Sequence, residues 1–318
     1  MALPSTLQEA IIYFADPKNC NEFLAGLRWT DGKPVCPYCG SDRVVYLSTQ
    51  NRYKCYGKHP KSQFSLKVGT IFEDSAIGLD KWLCAMWLIV NCKNGISSCE
   101  IARDLGITQK SAWHMAHRIR FALHHGSFEK MLSGEVEADE TFIGGKARNM
   151  HVGKRMRRIT GRGGKDKVPV MGIMERGGKV RTSVLANRKK KAIQSEVRKH
   201  VEEGSALYTD FLLSYEGLAG DYAHQVVDHA VEYVDGNVHT NSMENYWSLL
   251  KRTISGTYVS VEPFHLFRYL DEQAYRFNNR KELNDFDRFK LAAEQIVGKR
   301  LTWNDVTGKN ADGQTQAN

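Results

Sequence analysis

Residues 135–140 read Glu-Val-Glu-Ala-Asp-Glu and run into Thr141-Phe142-Ile143. In an extended strand, successive side chains point to opposite faces. Glu135, Glu137 and Asp139 therefore share one face, and Val136 and Ala138 the other. Three like charges on one face repel unless a cation or basic side chains neutralise them. Such a strand either lies solvated at a sheet edge or sits inside a fold beside something positive. The apolar end that follows makes Asp139 the interior candidate. Two more acids stand at element boundaries. Leu207-Tyr208-Thr209-Asp210 is an apolar strand ending in a carboxylate, and Glu244 lies early in a helix that reaches Lys251. Seven residues is about two helical turns, so Glu244 and Lys251 share a face. Asn241, one turn earlier, lies on nearly the same face and is a candidate for a neutral assisting ligand. His239, Asn241 and Asn245 surround Glu244 as rivals.

That combination suits phosphodiester chemistry. Two divalent cations about 3.5–4 Å apart activate the attacking oxygen and stabilise the leaving one. Hard ions such as Mg²⁺ (or Mn²⁺) prefer carboxylates. Asp139, Asp210 and Glu244 are the expected cage, and Lys251 the expected contact to a substrate phosphate.

The charge distribution fits a polyanion partner. The chain carries a formal net charge of +9. Residues 144–167 hold nine Lys/Arg and one acid, and residues 30–125 hold thirteen basic and seven acidic residues. Between them, residues 126–143 hold one basic residue and five acids. Positive segments on either side of an acid cluster point to nucleic acid held near that cluster. In the Gly-rich insert, Lys154, Arg155, Arg157 and Arg158 are expected to grip phosphates, with a solvated loop as the alternative.

Cys36-Pro37-Tyr38-Cys39-Gly40 is a C-x2-C knuckle, two thiolates that can point at one ion. Cys55 follows after a short strand pattern, and His59 is the nearest fourth ligand. The expectation is one structural Zn²⁺ on Cys36, Cys39, Cys55 and His59. The alternative is three buried thiols and an exposed His59.

Residues 96–120 have the shape of a helix-turn-helix. Ser97 and Glu100 form a capping box, Gly106 supplies the turn, and Thr108 caps a second helix from Gln109. Trp113, Ala116 and Ile119 are expected to face inward. Gln109, Lys110, Ser111, His114 and His117 are expected to face a DNA groove, and Arg118 and Arg120 the phosphate backbone.

Along the chain, residues 1–29 read as a helical segment, 30–78 as the zinc ribbon and 79–125 as the helix-turn-helix region. Residues 133–280 alternate strands and helices around the basic insert 144–167. Residues 281–306 read as a C-terminal helix, and 307–318 as a disordered tail. The longest apolar run, Trp82 to Val90, is far short of the roughly 20 residues a spanning helix needs. The N-terminus lacks the basic-then-apolar pattern of a secretory signal. Seven Cys, an odd number, argue for a reducing compartment and against a disulfide framework.

Five segments together resemble the bacterial insertion-sequence transposases with an N-terminal zinc ribbon and a DDE catalytic domain of the integrase type. They are CPYCGS at 36–41, QFSLKVGTIFEDS at 63–75, VEADETFIGGK at 136–146, YTDF at 208–211 and HTNSMENYWSLLKR at 239–252. The segment 254–280 is similar to the one that follows the family's catalytic helix, so the resemblance covers about residues 20–280. It implies an α/β, RNase H-like fold, a mixed five-stranded sheet with flanking helices. Periodicity gives three strands, helix, strand, helix, strand and then the helix of Glu244. The resemblance implies a cytoplasmic, nucleoid-associated transposase that acts on double-stranded DNA, its element's terminal inverted repeats and a target. It would work as a homo-oligomer, with no membrane partner. A DNA-binding regulator with a dead or repurposed RNase H-like domain is the alternative. A zinc-ribbon component of transcription or translation leaves residues 135–280 unexplained.

Overall fold

The computed structural model describes residues 3–124, 130–145, 150–158, 167–227 and 239–309. Contacts divide the chain into two units, Met1–Leu123 with Glu282–Asn318, and His124–Lys281.

In the first unit, capping residues fix where helices begin. Thr6 and Glu9 form a capping box at α1 (Leu7–Phe14), and Asp16 caps α2 (Pro17–Arg28), whose first residue is proline. A three-stranded antiparallel sheet follows, β1 (Val44–Leu47), β2 (Arg52–Cys55) and β3 (Gln63–Phe64). Helix α3 (Leu79–Asn91) is buried from Trp82 through Val90, as a helix apolar on all sides must be. Ser97 and Glu100 cap α4 (Ser98–Leu105), and Gly106 turns the chain at φ +60 into α5 (Gln109–Leu123). Only a residue without a Cβ adopts that left-handed turn at little cost.

The second unit is built on β4 (Glu135–Ile143). After it come α6 (Val152–Arg158), β5 (Val168–Glu175), β6 (Val180–Val184) and α7 (Lys190–His200). Then come β7 (Ala206–Asp210), β8 (Ala223–Val227), α8 (Asn241–Thr253) and α9 (Leu266–Asn278). The sheet order is β6-β5-β4-β7-β8. Strands β4, β5 and β6 pair antiparallel, while β7 and β8 run parallel to β4. This is the mixed five-stranded RNase H-like sheet. Val136 and Ala138 pack with α7 residues Ile193 and Val197 on one face. Val170 and Met174 pack with Met243, Trp247 and α9 on the other.

The chain then returns to the first unit. Helix α10 (Asp285–Glu294) sets Phe289 against Phe14, Phe23 and Trp87, with ring centroids 5.3–5.5 Å apart. Helix α11 (Trp303–Thr307) ends at Gly308.

Two readings change, and one alternative falls away. The acidic strand is no sheet edge, since β4 is the central strand and Glu137 is fully buried. The helix expected between the fourth and fifth strands is two single 3-10 turns, Leu213–Tyr215 and Leu218–Gly220, broken by Gly217 at φ +92. The insert expected as a loop carries α6; residues 146–149 and 159–166 lie outside the described residues, as do 310–318 of the tail. No helix among the described residues is long and apolar enough to cross a membrane.

Gly172 shows how closely α8 lies on the sheet. A Cβ there would stand 2.2 Å from Met243 Cε and 2.6 Å from Trp247 Cζ2. Gly172→Ala is expected to overpack this contact and lower stability by about 1–3 kcal/mol in urea unfolding. An unchanged midpoint would show that α8 can shift freely.

Candidate active site and metal centre

The acids of the second unit converge through the register of β4. Ala138 pairs with Thr209 on the adjacent parallel strand β7, so Asp139 and Asp210 follow at matching positions. Adjacent strands are about 4.8 Å apart. The two carboxylates feel one another: burial, and next the charge of Asp210, push Asp139 up to about 7. The Trp247 indole and the Glu140 backbone N–H pull the other way, with Trp247 Nε1 donating to Asp139 Oδ2 at 2.9 Å and Glu140 N to Oδ1 at 2.7 Å.

Helix α8 meets both acids. Thr240, just before it, donates its hydroxyl to Asp210 Oδ1 at 3.2 Å. Trp247 holds Asp139. Positions 240, 244, 247 and 251 recur at four, three and four residues, so they form one stripe along a helix. Glu244 therefore sits on the stripe between the residue that touches Asp210 and the one that touches Asp139. Its side chain is exposed, as are Asn241 and Lys251. Among the described residues, these three carboxylates do not form a group with ligand atoms within 4.8 Å of one another. As hard oxygen donors on a strand, a strand end and a helix, they match Mg²⁺ or Mn²⁺ in chemistry.

The other acids of β4 are already engaged. Glu137, fully buried, accepts from Arg176 Nε at 2.8 Å and from the Met243 backbone N–H at 3.0 Å, with His239 Nδ1 at 3.4 Å. Glu140 accepts from Tyr215 Oη and, at 3.1 Å, from Arg188. The alternation rule puts Glu137 beside Asp139, but its oxygens are filled by protein donors. Trp247, Thr240 and Arg176 escaped the sequence reading. Trp247 was legible, lying on the Glu244–Lys251 stripe; Arg176, at the start of a turn, carries no periodic signal.

The first unit holds a second donor set. Cys36, Cys39, Cys55 and His59 have ligand atoms all within 4.8 Å of one another. Cys39 Sγ lies 3.7 Å from Cys55 Sγ, and Cys36 Sγ 3.5 Å from His59 Nε2. Tetrahedral Zn²⁺, with Zn–S about 2.3 Å and Zn–N about 2.0–2.1 Å, has edges of about 3.8 and about 3.6 Å. The set fits structural zinc. A Cβ on Gly57 would stand 2.8 Å from Cys39 Sγ, so the chain passes the cluster without a side chain.

The helix-turn-helix residues divide. Gln109 and Lys110 are exposed at the start of α5, and Ser111 is half-buried beside Thr108. Arg118 does not face outward: it is 5% exposed, stacks on Trp82 and donates to the Glu73 carbonyl. It shares the inward stripe of Met115 and Ala122, three and four residues away, beside the buried Ile119. His117 and Arg120 are buried as well. His114 is half-buried, edge-on to Trp303, and burial and the nearby Arg118 hold its pKa below the usual imidazole value. Of the insert residues, Arg155 is half-buried on α6. Lys154, Arg157 and Arg158 are on the same helix, with side chains outside the described residues.

Residues 131–278 match the ISXO2-like transposase domain, and residues 16–57 match the transposase zinc-ribbon domain, stopping two residues short of His59. The chain is 30% identical over 258 residues to an uncharacterized protein in transposable element ISH50 of Halobacterium salinarum, covering 76% of this chain and 84% of that one. It is 28% identical over 102 residues to an uncharacterized transposase-like protein of Haemophilus influenzae, covering 32% of this chain and 82% of the relative.

Zinc analysis is expected to find one ion per chain, kept by His59→Cys and bound at least tenfold more weakly by His59→Ala; equal zinc affinity in His59→Ala and wild type would remove His59 from the site. The raised Asp139 makes its ionised form a cost to the fold. That cost grows as pH rises from the ordinary value of 3.8 to about 7 and is complete above it. Asp139→Asn is therefore expected to melt higher than wild type at pH 8 in buffer without Mg²⁺ or Mn²⁺, with the gain shrinking as pH falls toward 4. A gain that does not change with pH would contradict the burial argument.

Proposed function

Because the chain belongs to the family of insertion-sequence transposases with a zinc ribbon and an ISXO2-like transposase domain, we propose that it cuts and rejoins DNA at its element's ends, using Asp139, Asp210 and Glu244. The observation that carries this is the single α8 stripe that touches Asp210 through Thr240 and Asp139 through Trp247, with Glu244 between them. The three carboxylates would hold two Mg²⁺ or Mn²⁺. Bound there, such ions supply activation of the attacking oxygen and stabilisation of the leaving oxygen.

The protein's own groups do the placing. The Trp247 N–H fixes one oxygen of Asp139, and the Thr240 hydroxyl fixes one oxygen of Asp210. Lys251, exposed two turns beyond Glu244, is set to contact a phosphate of the bound strand. The chemistry is two in-line displacements at phosphorus. Water attacks first and frees a 3′-hydroxyl; that hydroxyl then attacks a target phosphodiester, and a 3′-oxygen of the target leaves. Neither step needs a covalent bond to the protein.

The zinc ribbon and the helix-turn-helix would recognise the terminal inverted repeats. The left-handed turn at Gly106 and the exposed Gln109 and Lys110 support α5 entering a groove by its first turn. The basic insert carrying Lys154, Arg155, Arg157 and Arg158 would hold phosphates near the acids. Two element ends handled together require at least two copies of the chain, acting on the nucleoid in the cytoplasm. Lys251 and Asn241 would support catalysis from the exposed side of α8.

Asp139→Asn, Asp210→Asn and Glu244→Gln are each expected to reduce cleavage of end DNA in Mg²⁺ by at least 10³-fold, since each removes a ligand of the two-ion site. Affinity for that DNA should stay within about twofold, a change worth roughly 0.4 kcal/mol. Cleavage that survives any one substitution removes that residue from the assignment. A wild-type protein that binds the ends but never cuts them would make the chain a regulator.

A further inference from the structure

We infer that Glu137 is a positioning residue: it serves as the N-terminal cap of α8 from across the fold and thereby sets Glu244 against Asp139. The inference rests on the catalytic assignment above.

Helix α8 lacks its own cap. The first amides of any helix have no intrahelical partner and need an acceptor. Thr240 holds the N-cap position, yet its side chain makes no capping bond and instead donates to Asp210. The acceptor comes from β4, where Glu137 Oε2 takes the Met243 N–H at 3.0 Å. Met243 is the third residue of the helix and Glu244 the fourth. The carboxylate that ends this helix is thus bonded one residue before the candidate third ligand, and its own Cα is two residues before the first.

The carboxylate cannot drift. Glu137 is fully buried, and Oε1 is held by Arg176 Nε at 2.8 Å. Arg176 is itself fixed from three sides. It lies over the Tyr208 ring at 4.1 Å, pairs with Glu135 at 3.7 Å and donates to the His239 carbonyl at 2.8 Å. A buried charge in a full set of charge-assisted bonds has one place to sit. The helix dipole adds to this, because a negative group at the positive end of α8 is favourable. Two residues of one strand, Glu137 and Asp139, therefore fix α8 at its third and seventh residues, Met243 and Trp247.

Reach separates this role from simple charge pairing. Glu137→Asp keeps the charge for Arg176 but withdraws the oxygen from the Met243 amide by about one C–C bond, roughly 1.5 Å. Glu137→Gln keeps an acceptor at full reach and gives up the charge. If Glu137 positions α8, Glu137→Asp should fold, lower kcat for end cleavage at least tenfold with KM for DNA unchanged, and speed amide exchange across residues 241–247. Glu137→Gln should keep kcat within about threefold and leave that exchange as in wild type. The reverse order, with Asp tolerated and Gln damaging, would mean a charge-pairing role and overturn the inference. Equal tolerance of both would overturn it as well. Should the wild type cleave nothing, the catalytic assignment fails, while amide exchange still decides whether Glu137 caps α8.

Discussion

Everything in the second unit turns on what it takes to carry carboxylates into the middle of a sheet. A buried, unpaired charge is too costly to persist ionised, and β4 brings in several. Each is handled differently. Glu135, at the rim, accepts from Tyr208 and lies near Arg176. Glu137 is saturated by Arg176, His239 and a helix end. Glu140 is held by Tyr215 and Arg188 on the opposite face. Asp139 differs from these. Its bonds come from two neutral N–H groups, and its strongest charged influence is another carboxylate, Asp210. The rise of its pKa to about 7 expresses that imbalance. The protein supplies a cationic side chain to the other acids of the strand and an anion to this one, so a divalent cation bound at the proposed site would supply the missing positive charge.

The same constraint accounts for the close approach of α8. The helix must bring a dipole end to Glu137 and an indole N–H to Asp139, so it has to lie hard on the sheet. Gly172, paired with Asp139 on β5, leaves the space for Met243 and Trp247. The glycine, the buried ion pair and the tryptophan are three parts of one docking, and Glu244 takes its place from all of them. Arg276 and Glu272 form a separate buried pair on α9.

Much of this was legible in the sequence, and the failures have physical causes. The Ser97–Glu100 capping box, the Gly106 turn and the cysteine knuckle are local signals, read within a few residues, and the structure shows them where the sequence puts them. The mixed five-stranded sheet followed from resemblance, and the succession of strands and helices along the chain from periodicity. Arg118, His117 and Arg120 were misread because charge suggested exposure. The apolar stripe of α5 is wider than its apolar residues, and these long side chains bury their stems within it. The return of α10 to the first unit depends on the Phe14–Phe23–Trp87–Phe289 cluster, assembled from residues over 200 positions apart. Glu137 was visible as an acid on the right face, but its role was not, because its partners Arg176 and Met243 come from distant segments.

The ribbon's zinc set and the proposed carboxylate site differ in donor chemistry, and that difference would keep each from taking the other's ion. The ribbon offers three thiolates and an imidazole already spaced as the edges of a tetrahedron. Four soft or borderline donors with no open position favour zinc and leave nowhere for a substrate to bind. The Asp139 region offers only oxygen donors, carried on separate elements, with Glu244 exposed at the solvent side. Such a set, as proposed, would suit an ion that keeps part of its water shell, with the exposed side open to a phosphate. Donor softness and site closure therefore sort the metals without any further selectivity device. They would also separate the roles: a closed site can only stabilise the ribbon, and the proposed open one would present an ion to DNA.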